Sequence, residues 1–117
     1  MILVDTSVWA DHIRRKSERM ALLMAEGEVL VHPFVIGELA LGNLENRQLY
    51  LTSFASFPSA KMASDEEVMT MIEARGLFGS GIGYVDAHLL AAAQLSQAKL
   101  WTADKRLHSA AARLGLA

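Results

Sequence analysis

Four acidic residues stand where acids are costly, beside or inside apolar segments. Asp5 closes the run Ile2-Leu3-Val4, and Glu38 lies within the segment Pro33 to Leu41. Asp86 heads the segment Val85 to Ala93, and Asp104 follows Leu100-Trp101-Thr102-Ala103. A carboxylate taken out of water costs several kcal/mol unless a cation or hydrogen-bond donors compensate. No Lys or Arg lies inside any of these segments to do so locally. If the fold brings the four together, a divalent cation is the expected compensation. Oxygen-only ligands favour hard Mg2+ or Mn2+, with one or two acids in direct contact and the rest acting through water. Without metal, crowded carboxylates repel, and one is expected to hold a proton.

Such a site needs elements that converge. Apolar runs alternate with helical patterns along the chain, which predicts an α/β fold with a mainly parallel sheet. Residues 2–5, 28–32 and 99–102 read as strands, with a weak further strand at 60–63. Helices are expected from Thr6 or Ser7 to Arg15, from Glu18 to Glu26, from Pro33 to near Gly42, and over residues 45–56. Ser64-Asp65-Glu66-Glu67 has the form of a capping box and starts a helix that runs to Arg75. Two more helices are expected at residues 84–97 and 104–114. Asp5 and Asp104 then fall at the carboxyl ends of parallel strands, where ligand crevices form in open α/β sheets. Glu38 shares a helical stripe with Phe34 and Leu41, and Asp86 shares one with Leu89, Leu90 and Ala93. Both helices should turn an acid along the face that meets the sheet.

Simpler readings exist for each acid alone. Asp5 and Asp104 also fit helix N-caps, Glu38 a helix rim, and Asp86 a first turn favoured by the helix dipole. All four arising independently in this order is the less economical account. Gly76 to Gly83 holds four glycines in eight residues and must be a loop, either a plain connector or a rim of the site. It lacks the Lys-Ser/Thr ending of a phosphate-binding P-loop. Lys105, Arg106, Arg14 and Arg15 are candidate phosphate contacts, with solvated helix faces as the alternative. The four histidines have no metal-binding spacing and read as surface or packing residues, and Trp9 and Trp101 read as core.

Composition narrows the class. At 117 residues, 52% hydrophobic and 21% charged, the chain suits a single globular domain over residues 1–117. A formal net charge of -2 argues against bulk, charge-driven nucleic-acid binding. The absence of cysteine removes thiolate metal sites and disulfides, and it fits a cytoplasmic location. The first apolar run stops at Asp5 with no basic region before it, so no signal peptide is expected, and no stretch is long enough to span a membrane.

Met1-Ile-Leu-Val-Asp5-Thr-Ser-Val-Trp9, Ile36-Gly-Glu38-Leu, Tyr84-Val-Asp86-Ala-His-Leu-Leu-Ala-Ala-Ala93 and Leu100-Trp-Thr102-Ala-Asp104-Lys-Arg-Leu107 together resemble PIN-domain ribonucleases. The likeness is greatest to the VapC-type toxins of bacterial toxin–antitoxin pairs, and it spans nearly the whole chain. The resemblance implies a three-layer α/β/α sandwich with a short, mainly parallel central sheet. It also implies Mg2+ or Mn2+ held by Asp5, Glu38, Asp86 and Asp104, with the hydroxyls of Thr6 or Ser7 and Thr102 in support. An RNA substrate, a cognate antitoxin and a homodimer are further implications, together with a final edge strand that is short or missing here. Asp5 and Asp86 are the expected direct ligands. Asp104 is expected to bind a second ion or orient water, and Glu38 to act as ligand or base. A non-catalytic module of this fold and a DNA-directed nuclease stay open as alternatives. A phosphoacceptor receiver domain fits poorly, because Asp5 is followed by Thr-Ser and two of the acids lie on helices.

Overall fold

The computed structural model describes residues 1–117. Three short strands form one parallel sheet in the order β2-β1-β3: β1 (Ile2–Val4), β2 (Val29–Leu30) and β3 (Lys99–Trp101). Leu3 is aligned with Leu30 on one side and Leu100 on the other, so the three strands end on one edge. Leu3 and Val4 point to opposite faces of the sheet, yet both are fully buried. Both faces are therefore covered, as a three-layer α/β/α sandwich requires.

The covering helices follow the sequence pattern closely. They are α1 (Thr6–Arg14), α2 (Glu18–Ala25), α3 (Pro33–Leu41), α4 (Arg47–Ser53), α5 (Asp65–Ala74), α6 (Tyr84–Leu95) and α7 (Lys105–Arg113). Ser17 caps α2 by accepting from the Met20 amide, and Ser64 and Glu67 complete the capping box of α5. Helix α6 turns Leu89, Leu90, Ala92 and Ala93 wholly inward, so its apolar stripe is its core face, as expected. Trp9 is fully buried on α1, with the rings of Phe54 and Phe57 at 5.0 and 6.0 Å. No helix is long and apolar enough to cross a membrane.

Two expectations need correction. The weak strand at residues 60–63 contracts to a single parallel bridge between Val31 and Ser59. Pro58 has no N–H to donate, the Lys61 amide turns instead to Ser96 Oγ at 2.8 Å, and Ser64 is already committed to capping α5. The second correction concerns α3. Its core face is Val35 and Leu39, whereas Glu38 is exposed and Leu41 is 91% exposed. The stripe containing Glu38 therefore faces outward, because α3 is apolar on more than one side and its sequence does not single out a core face. Beyond β3, the Leu100 amide donates to the Leu116 carbonyl at 2.7 Å, so the tail lies along that strand without forming a strand of its own.

His32 joins β2 to α3 and is fully buried. Its Nδ1 accepts from the Phe34 amide at 3.0 Å, which caps α3 and requires a neutral ring. Burial first, and the neighbouring His88 second, lower its pKa from 6.5 to about 4. The unfolded chain therefore takes up this proton first as pH falls. The stability held at pH 7 is lost between 6.5 and about 4, and is gone below that range. The loss amounts to about 3 kcal/mol at most. Urea melts at pH 7 and pH 5 should show a smaller pH-dependent change for His32→Asn, whose amide oxygen keeps the cap. An equal change in both proteins would exclude this role for the ring.

Candidate functional site

Asp5 leaves β1 with its amide bonded to the Trp101 carbonyl at 2.9 Å, which fixes it beside the end of β3. It occupies the N-cap position of α1, but its side chain makes no capping bond. Oδ2 accepts instead from Ser7 Oγ at 2.8 Å and from Thr102 Oγ1 at 2.7 Å. The simple cap reading of Asp5 thus fails, and two hydroxyls offset the desolvation of a carboxylate that is only 7% exposed. The same hydroxyls reach onward. Ser7 Oγ accepts from the Ala103 amide and Thr102 Oγ1 from the Asp104 amide, each at 3.0 Å. A small hydroxyl lattice therefore ties the start of α1 to the start of α7.

The other three acids are tethered differently. Asp104 does cap its helix, with Oδ1 accepting from the amides of Arg106 at 2.8 Å and Leu107 at 3.1 Å. Glu38 receives the Thr6 hydroxyl on Oε1 at 2.6 Å, which draws an exposed side chain on α3 towards α1. Asp86 Oδ2 accepts from the Gly83 amide at 3.0 Å, the reciprocal half of a capping box at the start of α6. In every case one carboxylate oxygen is held by the protein, while Asp5 Oδ1, Glu38 Oε2, Asp86 Oδ1 and Asp104 Oδ2 accept no protein hydrogen bond. Neither Asp5 Oδ1 nor Asp86 Oδ1 is among the buried polar atoms that lack a partner, so both face solvent.

Electrostatics links the four. The Asp86 carboxyl is pushed above its ordinary value of 3.8, mainly by burial, with the charges of Asp5, Asp104 and Glu38 adding to the rise and the Gly83 amide opposing it. One acid thus feels the other three, and no basic side chain forms an ion pair with any of them. The donor set fits a hard divalent cation: oxygen atoms only, pre-oriented, with a free lone-pair edge on each. No three of these side chains close into a ready-made cage. An open set of this kind suits a hard cation that keeps several of its waters and takes few direct carboxylates.

The family model described as PIN domain matches residues 2–113. The chain belongs to the PIN-domain family. Two curated relatives named Ribonuclease VapC32, from the CDC 1551 / Oshkosh and ATCC 25618 / H37Rv strains of Mycobacterium tuberculosis, are each 43% identical over 118 residues. Those matches cover 100% of this chain and 95% of the relative. Among solved structures, the crystal structure of PAE2754 from Pyrobaculum aerophilum superposes with a TM-score of 0.60 at 19% identity. It covers 97% of this chain and 88% of that one, a likeness of fold.

The remaining candidates of this PIN domain divide by position. Lys105 and Arg106 open α7 directly after Asp104. Arg14 and Arg15 lie at the opposite end of α1 from Asp5, about 13 Å along the helix axis, and Arg14 is engaged with Asp11 at 2.6 Å. Trp101 carries the Arg19 guanidinium over its ring at 4.1 Å. His12, His32 and His88 are buried packing residues, as expected, and His108 is exposed.

Two further contacts differ in how far the sequence announces them. The Gly83 amide as partner of Asp86 was legible in the spacing, since Asp86 stands three residues after a residue able to begin a helix. The contact of Asp65 with the Tyr84 hydroxyl and His88 Nε2, both at 2.9 Å, joins α5 to α6 and left no local signal. It also holds the Asp65 carboxyl below its ordinary range, through the Tyr84 hydroxyl first and His88 second.

The hydroxyl lattice makes a sharp prediction. Thr102→Val preserves side-chain shape, yet it strips one donor from Asp5 and leaves the Asp104 amide without its acceptor. The expected cost is about 1–3 kcal/mol in urea unfolding. A change below about 0.5 kcal/mol would place it among ordinary surface substitutions and remove Thr102 from the lattice.

Proposed function

We propose that this PIN domain is a Mg2+- or Mn2+-dependent endoribonuclease, acting in the cytoplasm as the toxin of a type II toxin–antitoxin pair. The observation that carries the proposal is the arrangement of four acids, each held through one oxygen with the other left open. A phosphodiester is itself anionic, so such a pocket repels it unless positive charge intervenes. When bound, a divalent cation supplies Lewis acidity towards the phosphate and acidifies water.

The protein's own groups do the rest. Asp5 and Asp86 are the direct ligands, oriented by the Ser7 and Thr102 hydroxyls and by the Gly83 amide. Support of this kind from outside the ligand shell keeps ligand geometry fixed. Asp104 binds a second ion or orients the attacking water. Glu38, exposed and tethered only through Oε1, has Oε2 free to serve as ligand or to take a proton from that water. Water adds to phosphorus, one P–O ester bond breaks, and the departing oxygen takes up a proton.

The 43% identity to the ribonucleases over the full chain supports RNA as the substrate. The same reading brings a cognate antitoxin and self-association into a homodimer. Leu22, Leu41 and Leu49, at 59%, 91% and 66% exposed, offer apolar surface for such contacts. The test is cleavage of RNA and DNA of matched sequence by the purified chain, with Mg2+ and with EDTA. RNA cleavage that EDTA abolishes supports the proposal. Preferential DNA cleavage, or cleavage indifferent to EDTA, refutes it.

A further inference from the structure

The glycine-rich segment 76–83 has so far contributed one amide to the site. Gly81 has a φ of +84°, and a Cβ placed on it would stand 2.8 Å from Arg106 Cδ, 3.0 Å from Nη1 and 3.2 Å from Nε. The end of the exposed Arg106 side chain therefore rests against the Gly81 backbone, where a Cβ would push it aside. Gly79 shares the left-handed conformation, with a φ of +74°, but nothing lies within 4 Å of its Cβ position. The two glycines thus differ in purpose: one serves the turn alone, the other also seats a side chain.

The seat lies between the segments that hold two acids. Gly83, two residues after Gly81, donates its amide to Asp86, while the Arg106 amide is bonded to Asp104 Oδ1. Yet the Arg106 guanidinium forms no ion pair with any carboxylate and donates no hydrogen bond within the protein. A planar guanidinium carries donors in a fork that matches phosphate oxygens, and one already seated loses less freedom when it binds. Lys105, its neighbour, has no such seat.

Resting on the ribonuclease reading of this site, we propose that Arg106, seated on Gly81, anchors a backbone phosphate of single-stranded RNA next to the bond presented to the acids. The glycine-rich loop is then a functional rim, and Arg106 binds substrate without taking part in proton transfer.

The test is binding of a fluorescein-labelled single-stranded RNA to the Asp5→Asn protein in Mg2+, followed by anisotropy across a salt series. Arg106→Ala in that background is expected to weaken binding about tenfold and to lower the salt slope by about 0.7. Arg106→Lys should recover part of the affinity, because it restores charge without the fork. Gly81→Ala should cost part of the Arg106→Ala loss, since it unseats the guanidinium but keeps its charge, whereas Gly79→Ala, equally strained in its backbone, should keep the parent affinity. With the four acids intact, Arg106→Ala should raise KM about tenfold and leave kcat within about twofold.

Arg106→Ala binding within twofold of the parent overturns the proposal, as does a parent with no measurable RNA affinity. Equal losses from Gly79→Ala and Gly81→Ala, or none from Gly81→Ala, overturn the role of the seat. Absence of RNA cleavage by the unmodified chain counts against the ribonuclease reading alone, since the binding series is judged without cleavage.

Discussion

Asp5→Asn is expected to lower Mg2+-dependent RNA cleavage at least about a thousandfold, equivalent to ~4 kcal/mol of transition-state stabilisation. The size follows from what the substitution leaves in place. Asn is nearly isosteric, and its carbonyl oxygen still accepts the Ser7 and Thr102 hydroxyls that now hold Oδ2 at 2.8 and 2.7 Å. The lattice between α1 and α7 should therefore persist, and unfolding by urea should change little. What disappears is the negative charge at the centre of the site, together with the strong donor character of the free oxygen. A steady-state cleavage assay alongside a melt separates the two effects. Loss of activity with an unchanged melt supports the role proposed for Asp5. Activity within tenfold of the parent would remove Asp5 from the catalytic set.

A second large effect is expected at Asp86, with opposite signs for stability and activity. Its carboxyl is held above 3.8, chiefly by burial and then by the charges of Asp5, Asp104 and Glu38. The unfolded chain therefore releases this proton at lower pH than the folded chain. Stability falls as pH rises from 3.8 through the elevated value, and the penalty persists at neutral pH. Asp86→Asn removes that penalty while its amide oxygen still accepts from the Gly83 N–H. In EDTA at pH 7 the variant should melt at or above the temperature of the parent. With Mn2+ added, the parent should gain stability as any ligand of the folded state confers it, and the variant should gain little. RNA cleavage by the variant should fall about a thousandfold, as for a lost ligand charge. Differential scanning fluorimetry with and without Mn2+ reads the crossover. A variant that melts lower in EDTA and still gains from Mn2+ would show that Asp86 carries neither the strain nor the ligand.

Such reversals are a general mark of sites assembled at the expense of stability. Charges are crowded for what they bind, and the uncomplexed fold bears the repulsion. The arrangement here limits that cost without cancelling it. Hydroxyls and amides, rather than cations, face the acids, so each carboxylate is oriented but not neutralised. Arg106 stays close by and unpaired, which leaves its charge for an incoming anion.

Much of this was legible before the fold was known, because the signals are local. Ser17 and Ser64 mark helix starts through their own capping geometry. Leu3, Val4, Leu89 and Leu90 announce burial by their spacing, and all four are fully buried. Asp5 and Asp104 could be assigned to strand ends because each directly follows a short apolar run. The weak strand at residues 60–63 misled because strand pairing depends on where a partner's donors go. There the Lys61 amide is taken by Ser96, 35 residues away. Glu38 misled for a related reason: α3 is apolar around much of its circumference, and only its neighbours decide which side is core.

The sequence by itself determined the order of the helices and the parallel α/β class, and it singled out four acids as candidates, since these follow from periodicity, capping and short-range polarity. Tertiary structure alone decided that Thr102 orients Asp5 from 97 residues away, that Thr6 draws Glu38 in across α1 and α3, and that Arg106 rests on Gly81. Those are contacts between side chains on different elements. Their existence depends on strand register and helix placement, which a pattern read along one dimension does not contain.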